Sequence, residues 1–238
     1  MAMTVLRDAV AGFSDLFFPT ICYGCGNNVL AKNQLLCLRC LSSLPLTNFH
    51  LIDGNPVEKI FWGRMQVQRA ASLLFFSKNS VVQSLLHELK YRGKKDVGYY
   101  CGRLMGDALK QSSLYSGVDI IVPLPLFKSK KRKRGYNQSE LLAIGISEVI
   151  NKPVVATAVE RVVQTETQTK KNRVERWQNM NQGFLVTDAY SLNGKHILLV
   201  DDVVTTGATL EACGSALLSV PGSALSLFTF AYSSGKNF

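Results

Sequence analysis

The chain has 238 residues, of which 47% are hydrophobic and 18% charged, a balance typical of a globular protein and unlike disordered or fibrous chains. No apolar run reaches the roughly 18 residues that a membrane-spanning helix requires, and Asp8 and Asp15 interrupt the apolar stretch at the amino terminus. We therefore expect a cytoplasmic protein with one full domain and a small appendage.

Positive charge is concentrated in one segment. Lys and Arg number 27 against 17 Asp and Glu, and six of the positive charges lie between Lys128 and Arg134. Such a field attracts nucleic acid or phosphorylated small molecules, and net charge alone does not choose between them. A solvated basic loop is the alternative interpretation.

Four of the six cysteines form two Cys-x2-Cys pairs separated by residues 26–36. One such pair can bind an ion from a single turn, and a second pair completes a closed tetrahedron, as in a structural zinc site. Gly24 and Gly26 favour this interpretation, since glycines let backbone amides approach the sulfurs. Two disulfides, which a reducing compartment disfavours, and free thiols are the alternatives. The predicted zinc ligands are Cys22, Cys25, Cys37 and Cys40, whereas Cys101 and Cys213 are predicted to be buried core thiols.

The amino-terminal part is predicted to hold two small units. Apolar residues recur at helical spacing between Leu6 and Phe17, which predicts an amphipathic helix over residues 1–18. The segment 42–63 is rich in Pro, Gly, Asn and Asp and predicts a connecting loop. We place the domain boundary there, with a zinc-ribbon module and linker over residues 19–63 and the larger domain over residues 64–238.

Strand and helix patterns alternate through the larger domain. This alternation is typical of an α/β fold with a parallel sheet covered by helices on both faces. Ligands of such sheets bind beyond the carboxyl ends of the strands, so functional motifs are expected there. Strands are predicted at 70–76, 118–122, 154–155, 196–200 and 225–232, and helices at 81–89, 97–108, 139–150 and 207–219.

The segment 197–209 carries the strongest motif, in which a buried strand delivers Asp201 and Asp202 and then a hydroxyl-rich turn that opens a helix. Unpaired N–H groups and the helix macrodipole at such a turn can hold a phosphate monoester. The paired carboxylates can accept hydrogen bonds from the vicinal hydroxyls of a sugar. The sequence therefore predicts a ribose phosphate site. Its phosphate ligands are expected among Val203, Val204, Thr205, Thr206, Gly207, Ala208 and Thr209.

This order of strand, acidic pair and threonine–glycine turn resembles the phosphoribosyl-pyrophosphate motif of type I phosphoribosyltransferases. Receiver domains also carry an acidic pair after a strand, but they begin with it, whereas here only 238 − 209 = 29 residues follow Thr209. Upstream, residues 89–93, 118–126 and 134–139 are similar to the ComF family, which includes the GntX proteins. A middle block matches that family in order and spacing at Arg161, Thr165, Gln168, Arg176, Asn179 and Phe184.

The resemblance implies a type I phosphoribosyltransferase-like parallel sheet flanked by helices, with a small amino-terminal zinc-ribbon module. It implies Asp201 and Asp202 as the catalytic pair, and magnesium as the ion that accompanies phosphoribosyl pyrophosphate. The block from Arg161 to Phe184 resembles a mobile hood over the substrate, and a long surface loop is the alternative. Expected hood residues are Arg161, Thr165, Gln168, Arg176 and Asn179, and the expected pyrophosphate side comprises Lys90, Pro123, Leu124, Pro125, Lys128 and Arg134.

Two functions follow from the resemblance. The first is a factor for DNA uptake in natural transformation, which binds phosphoribosyl pyrophosphate or a nucleotide and docks a helicase or channel protein through its zinc module. The second is a metabolic phosphoribosyltransferase that releases pyrophosphate, and the sequence leaves open whether catalysis is retained. The basic segment is a candidate contact for single-stranded DNA, with Tyr136 or Trp177 as stacking surfaces, or a small-anion site. The three histidines, His50, His87 and His196, are predicted to be structural.

Overall fold

The computed structural model describes residues 21–27, 30, 34–91, 93–162 and 183–234. The predicted helix over residues 1–18 lies outside these residues. So do Trp177 and four of the expected hood residues, Thr165, Gln168, Arg176 and Asn179.

A four-stranded parallel sheet forms the centre of the described structure, with the order β1-β6-β5-β2. In β5 the residues Ile197–Val200 are all fully buried, although their side chains alternate between the two faces of the sheet. Both faces are therefore covered, which confirms the predicted α/β architecture. The strands are β1 (Arg69–Phe75), β2 (Ile120–Pro123), β3 (Val159–Arg161), β4 (Phe184–Val186), β5 (His196–Val204) and β6 (Ala224–Tyr232).

The helices pack around this sheet, and α6 contacts β2 and β5 while α8 contacts β4, β5 and β6. A Cβ on Gly102 in α4 would collide with the carbonyl oxygen of Leu142 in α6, so glycine permits the close approach of these two helices. Among the described residues, no helix has the length and apolarity needed to cross a membrane. The helices are α1 (Leu38–Ser42), α2 (Pro56–Phe61), α3 (Val81–Tyr91), α4 (Lys95–Lys110), α5 (Lys128–Arg134), α6 (Gln138–Ile150), α7 (Ala189–Leu192) and α8 (Ala208–Leu218), with 3-10 turns at Phe49–Leu51 and Ser113–Tyr115.

Strand β5 extends past its predicted end at Val200. Asp201 and Val204 lie opposite Thr229 and Tyr232 of β6, so the acidic pair belongs to the strand itself. Because the neighbouring strand continues alongside, both carboxylates stand on backbone that the sheet holds in place.

The prediction of a strand at 154–155 is wrong in extent, because the structure has only a single parallel bridge there, between Val154 and Ile121. Ile121 N donates to the Pro153 carbonyl and Val155 N donates to the Ile121 carbonyl, both at 2.9 Å. Proline has no N–H with which to extend the ladder backward, so the pairing stays this short.

The prediction of a loop over residues 42–63 is also wrong, because this segment contains α2 and the 3-10 turn at Phe49–Leu51. Asn55 caps α2 through its Oδ1, which accepts from Val57 N at 2.9 Å, and its Nδ2 donates to the Ala70 carbonyl at 2.9 Å. Pro56 fills the first helical position. Asparagine followed by proline is therefore a helix start here rather than a break.

The basic segment is likewise not a loop, because residues 128–134 form helix α5. Lys128 pairs with Glu160 at 2.9 Å and Lys131 pairs with Glu140 at 3.2 Å, which offsets part of the repulsion along the helix. The helix ends at Gly135, whose φ of 83° is the left-handed conformation that glycine adopts at helix C-termini.

Candidate functional site

The acidic pair at the end of β5 is fixed by side chains from two other elements. Ser139 Oγ, in the first turn of α6, donates to Asp201 Oδ1 at 2.9 Å, and Asp202 N donates to the same oxygen at 2.8 Å. Lys90 Nζ, near the end of α3, lies 3.0 Å from Asp202 Oδ2. The structure thus brings the predicted Lys90 to the acidic pair. It adds Ser139, which belongs to the family-like block 134–139 but was not predicted to be a site residue.

The two carboxylates have different environments. Burial and, to a lesser extent, the charge of Asp202 raise the pKa of Asp201 to about 7, against the opposing effects of the hydrogen bonds from Asp202 N and Ser139 and of the charge of Lys90. Asp201 is therefore partly protonated at neutral pH when no ligand is bound. A group that donates hydrogen bonds to Asp201 would favour its ionised form.

The predicted phosphate turn follows directly. Among the described residues, the backbone N–H groups of Thr205, Thr206 and Gly207 have no hydrogen-bond partner. Gly207 precedes α8 with a φ of 75°, and the side chains of Thr206 and Ala208 are exposed. The turn therefore presents free N–H groups and the positive end of a helix to one side, which is the arrangement that binds anions.

The other side of the turn is closed by α2. A Cβ added to Gly207 would lie 2.7 Å from Ile60 Cγ2 and 2.8 Å from Phe61 Cε1. Arg64, just beyond α2, donates from Nη1 to the Thr206 carbonyl at 2.9 Å and forms an ion pair with Glu211. These residues were missed because a segment interpreted as a linker carries no motif for phosphate binding.

The expected pyrophosphate side is only partly available to a ligand. Leu124 N donates to the Val200 carbonyl at 2.8 Å and its carbonyl accepts from Asn137 Nδ2 at 2.9 Å, so its peptide groups serve the fold. Pro123 is the last residue of β2 and is buried, Pro125 is half-buried, and Lys128 is exposed and paired with Glu160. The Arg134 guanidinium lies 5.8 Å from the ring centroid of Tyr91.

Arg161 is the expected hood residue that the structure describes. Its guanidinium lies 4.1 Å from the ring centroid of Phe127 and 5.2 Å from that of Phe184. Burial lowers the pKa of Arg161, and the charge of Asp201 opposes this shift, which places the guanidinium within electrostatic reach of the acidic pair. Two aromatic rings therefore pack against this cation near the site.

Tyr136 does not offer the stacking surface that the sequence suggested. Its side chain is buried and its hydroxyl donates to the Leu89 carbonyl at 2.7 Å. Tyr91 is instead 70% exposed, and its ring lies beside the His87 ring and the Arg134 guanidinium. Tyr136 is buried because its hydrogen bond joins the α5–α6 connection to α3.

Two cavities, of about 570 and 270 Å³, lie elsewhere in the described structure. The larger is lined by Trp62, Gln66 and Arg69, among others, and the smaller by Leu109 and Leu198, among others. Neither includes the acidic pair or the phosphate turn.

The four predicted zinc ligands converge, and their Sγ atoms all lie within 4.8 Å of one another. Zinc–sulfur bonds of about 2.3 Å in a tetrahedron put sulfurs ~3.8 Å apart, and the Cys25–Cys37 separation is 4.0 Å. Gly24 N and Cys37 N donate to Cys22 Sγ at 3.4 and 3.3 Å. The cluster can therefore hold a metal ion such as zinc.

The thiols differ in acidity. The backbone N–H of Asn27 lowers the pKa of Cys25 to about 6, and the backbone N–H of Cys40 lowers that of Cys37, whereas burial raises the pKa of Cys40 to about 12. A metal ion would stabilise all four thiolates together. The remaining cysteines, Cys101 and Cys213, are fully buried, as predicted.

Comparisons with known proteins identify a matching domain and several relatives. Residues 125–234 match the family model described as the phosphoribosyl transferase domain. The chain is 28% identical over 201 residues to the DNA utilization protein YhgH of Escherichia coli K12, covering 83% of this chain and 84% of that protein. It is 28% identical over 201 residues to competence protein F of Haemophilus influenzae (84% and 79%), and 30% identical over 162 residues to competence protein ComFC of Bacillus subtilis (65% and 60%).

Among solved structures, the glutamine phosphoribosylpyrophosphate amidotransferase of B. subtilis matches with a TM-score of 0.40 and 16% identity, and the match covers 59% of this chain and 30% of that one. The adenine phosphoribosyltransferase of Saccharomyces cerevisiae matches with a TM-score of 0.36 and 15% identity (60% and 72%). With the competence relatives and the matched domain, the sequence motifs place this chain in the ComF family, as a member with a phosphoribosyltransferase domain.

Proposed function

We propose that this protein acts in DNA uptake during natural transformation, and that its crevice binds phosphoribosyl pyrophosphate or a nucleotide. The relatives named for competence and DNA utilization support the first part. The observation that carries the second is the turn after β5, whose free N–H groups follow an acidic pair held by Ser139 and Lys90. The terminal phosphate would lie at the turn and the ribose diol at the carboxylates.

The acidic pair, Lys90, Arg161 and the pyrophosphate side each have a proposed task in this complex. Asp201 and Asp202 accept hydrogen bonds from the ribose hydroxyls. With Asp202 engaged by the ribose, the Lys90 ammonium would turn from Asp202 toward the negatively charged pyrophosphate. Magnesium would neutralise the pyrophosphate, and the carboxylate oxygens of the acidic pair are the kind of ligand that this ion prefers. Arg161 would supply positive charge from the side of β3. The remaining pyrophosphate contacts would come from the segment Pro123–Lys128 and from Arg134.

The four-cysteine cluster would hold zinc and thereby fold the amino-terminal module. The ligand set is closed by four sulfurs and by backbone N–H groups that point at them, which favours a structural ion over a reactive one. Leu38, at the start of α1, is 83% exposed next to the cluster. We place the contact with a DNA-uptake helicase or channel protein on this module.

Single-stranded DNA would contact the exposed face of α5. Among the described residues, Lys130, Arg132 and Lys133 form no ion pair, whereas Lys128 and Lys131 are already paired with glutamates. Unpaired cations have more to gain from a phosphate backbone, since no existing pair must be broken. Tyr91 would serve as the stacking surface in place of Tyr136.

Binding is tested by titrating phosphoribosyl pyrophosphate with magnesium into the purified protein by calorimetry. The variant Asp201→Asn/Asp202→Asn should lose most of the affinity, at least about thirtyfold, because two charged acceptors of the diol are removed. Ser191→Ala, which changes a side chain on α7 away from the site, is the matched control. Unchanged affinity in the double variant would remove the assignment.

A separate assay decides between binding and catalysis. If the protein is a phosphoribosyltransferase, it releases pyrophosphate in the presence of magnesium and a base, an amine or water. If it acts in DNA uptake without this reaction, a deletion strain loses transformation and keeps its nucleotide pools. Unimpaired transformation in the deletion strain contradicts the proposed role.

A further inference from the structure

The segment between the cysteine cluster and the sheet reaches the phosphate turn directly. Phe61, the last residue of α2, is fully buried. Its ring atoms Cε1 and Cζ would lie 2.8 and 2.9 Å from a Cβ added to Gly207. Ile60 fills the adjoining space. The turn therefore rests on α2 and cannot move toward it.

Arg64 joins the same two elements through polar contacts. Its Nη1 donates to the Ile60 carbonyl at 3.1 Å and to the Thr206 carbonyl at 2.9 Å. Its Nη2 forms an ion pair with Glu211 in the first turn of α8. One guanidinium thus links the end of α2, the middle of the turn and the helix that follows it.

The charge of Glu211 makes this link relevant to a ligand. A carboxylate in the first turn of a helix normally interacts well with the macrodipole, but beside a bound phosphate it repels the ligand. Arg64 neutralises that carboxylate and holds the Thr206 carbonyl, so the peptide N–H groups of the turn keep facing outward. The side chain is 37% exposed, so solvent screens part of the effect.

We infer that Arg64 is a positioning residue of the phosphate site, and that the segment 56–64 is a working part of this site rather than a linker. This inference rests on the proposed binding of a phosphoribosyl compound at the turn. Arg64 acts through Thr206 and Glu211 and does not itself touch the ligand.

The test combines affinity for magnesium phosphoribosyl pyrophosphate with amide hydrogen exchange of residues 201–212 in the unliganded protein. The variant Arg64→Gln should bind about tenfold more weakly, and its turn should exchange faster. Arg64→Lys keeps the charge without the forked geometry and should fall between the two. Arg64→Gln/Glu211→Gln should regain part of the affinity, since the uncompensated carboxylate is gone.

The matched control is Arg103→Gln, which breaks a comparable exposed pair between Arg103 and Glu148, 3.1 Å apart, on α4 and α6. It should change neither readout. Unchanged affinity in Arg64→Gln, or a double variant that binds no better than Arg64→Gln, would overturn the inference. If the wild type binds no phosphoribosyl pyrophosphate, the proposed function fails, and faster exchange confined to Arg64→Gln would still show that Arg64 holds the turn.

Discussion

The cysteine cluster and the phosphate turn use the same backbone group in opposite ways. In the cluster, the N–H groups of Gly24 and Cys37 point inward and donate to a cysteine sulfur. In the turn, the N–H groups of Thr205 and Thr206 have no partner among the described residues. The first arrangement suits an ion that stays for the life of the fold, and the second suits a ligand that comes and goes. Substitutions in the two regions should therefore differ in what they remove, bound metal in one and ligand affinity in the other.

Replacing a cluster ligand should have the largest effect. Cys22→Ser removes a buried sulfur that accepts two backbone hydrogen bonds, so bound zinc should fall from one ion per chain to nearly none. Proteolysis should then cut within residues 21–43 far faster than in the wild type. Metal analysis and limited proteolysis measure this, with Cys101→Ser as the control that keeps the zinc. Full zinc content in Cys22→Ser would refute a four-sulfur site.

Gly207→Ala should come next, with a loss of at least about tenfold in affinity for phosphoribosyl pyrophosphate. The substitution places a Cβ at a φ of 75° and within 2.7 Å of Ile60, so the turn must shift. Gly194→Ala is the matched control, because its φ of 66° gives similar backbone strain while no atom lies within 4 Å of the added Cβ. Equal affinity in both variants would mean that the shape of the turn does not matter.

The pH should act through Asp201. Its pKa of about 7 lies above the ordinary value of 3.8, so the folded state retains a proton that the unfolded state has released. Raising the pH from about 4 to 7 should therefore reduce the stability of the unliganded protein, as measured by thermal unfolding. Over pH 6 to 8 the ionised fraction of Asp201 rises about tenfold, so the affinity for the sugar phosphate should also rise about tenfold, since the ionised carboxylate is the better acceptor for a ribose hydroxyl. Asp201→Asn should show neither dependence, and identical pH profiles in variant and wild type would exclude this role.

The smallest effect is expected on α5. Lys130→Gln/Lys133→Gln should weaken binding of single-stranded DNA about three- to tenfold at low salt and reduce the slope of affinity against salt. Lys128→Gln/Lys131→Gln removes the same charge from lysines that already have glutamate partners, and it should have the weaker effect. Fluorescence anisotropy with a labelled oligonucleotide compares them. Equal losses would show that only net charge counts.

The sequence predicted the features that depend on local pattern. The cysteine spacing, the buried run Ile197–Val200 and the acidic pair with its turn each lie within a short stretch of the chain. The structure brings the four sulfurs together and buries the run, and it carries the acidic pair within β5 rather than after it. The contribution of α2 could not be predicted from local sequence pattern. Phe61 contacts Gly207, and Arg64 contacts Glu211, across more than a hundred residues of sequence. Only the tertiary fold creates that contact.

Two errors have a common physical origin. The segment 42–63, which contains Asn55 and Pro56, is predicted to be a connecting loop because of its turn residues, and a solvated loop is one interpretation of the run from Lys128 to Arg134 because of its charge. In the structure the asparagine side chain caps a helix, and glutamates on other elements offset the lysines. The capping of α2 by Asn55 could have been predicted, because cap and helix are adjacent in sequence. The neutralisation of Lys128 by Glu160 could not, because it depends on where the fold places β3.

The central claim is tested most directly by determining the structure of the protein with magnesium phosphoribosyl pyrophosphate bound. The account predicts the 5-phosphate within about 3 Å of the N–H groups of Thr205, Thr206 and Gly207, and the ribose diol at Asp201 and Asp202. A saturating ligand that lies elsewhere, with this turn still free, would contradict it.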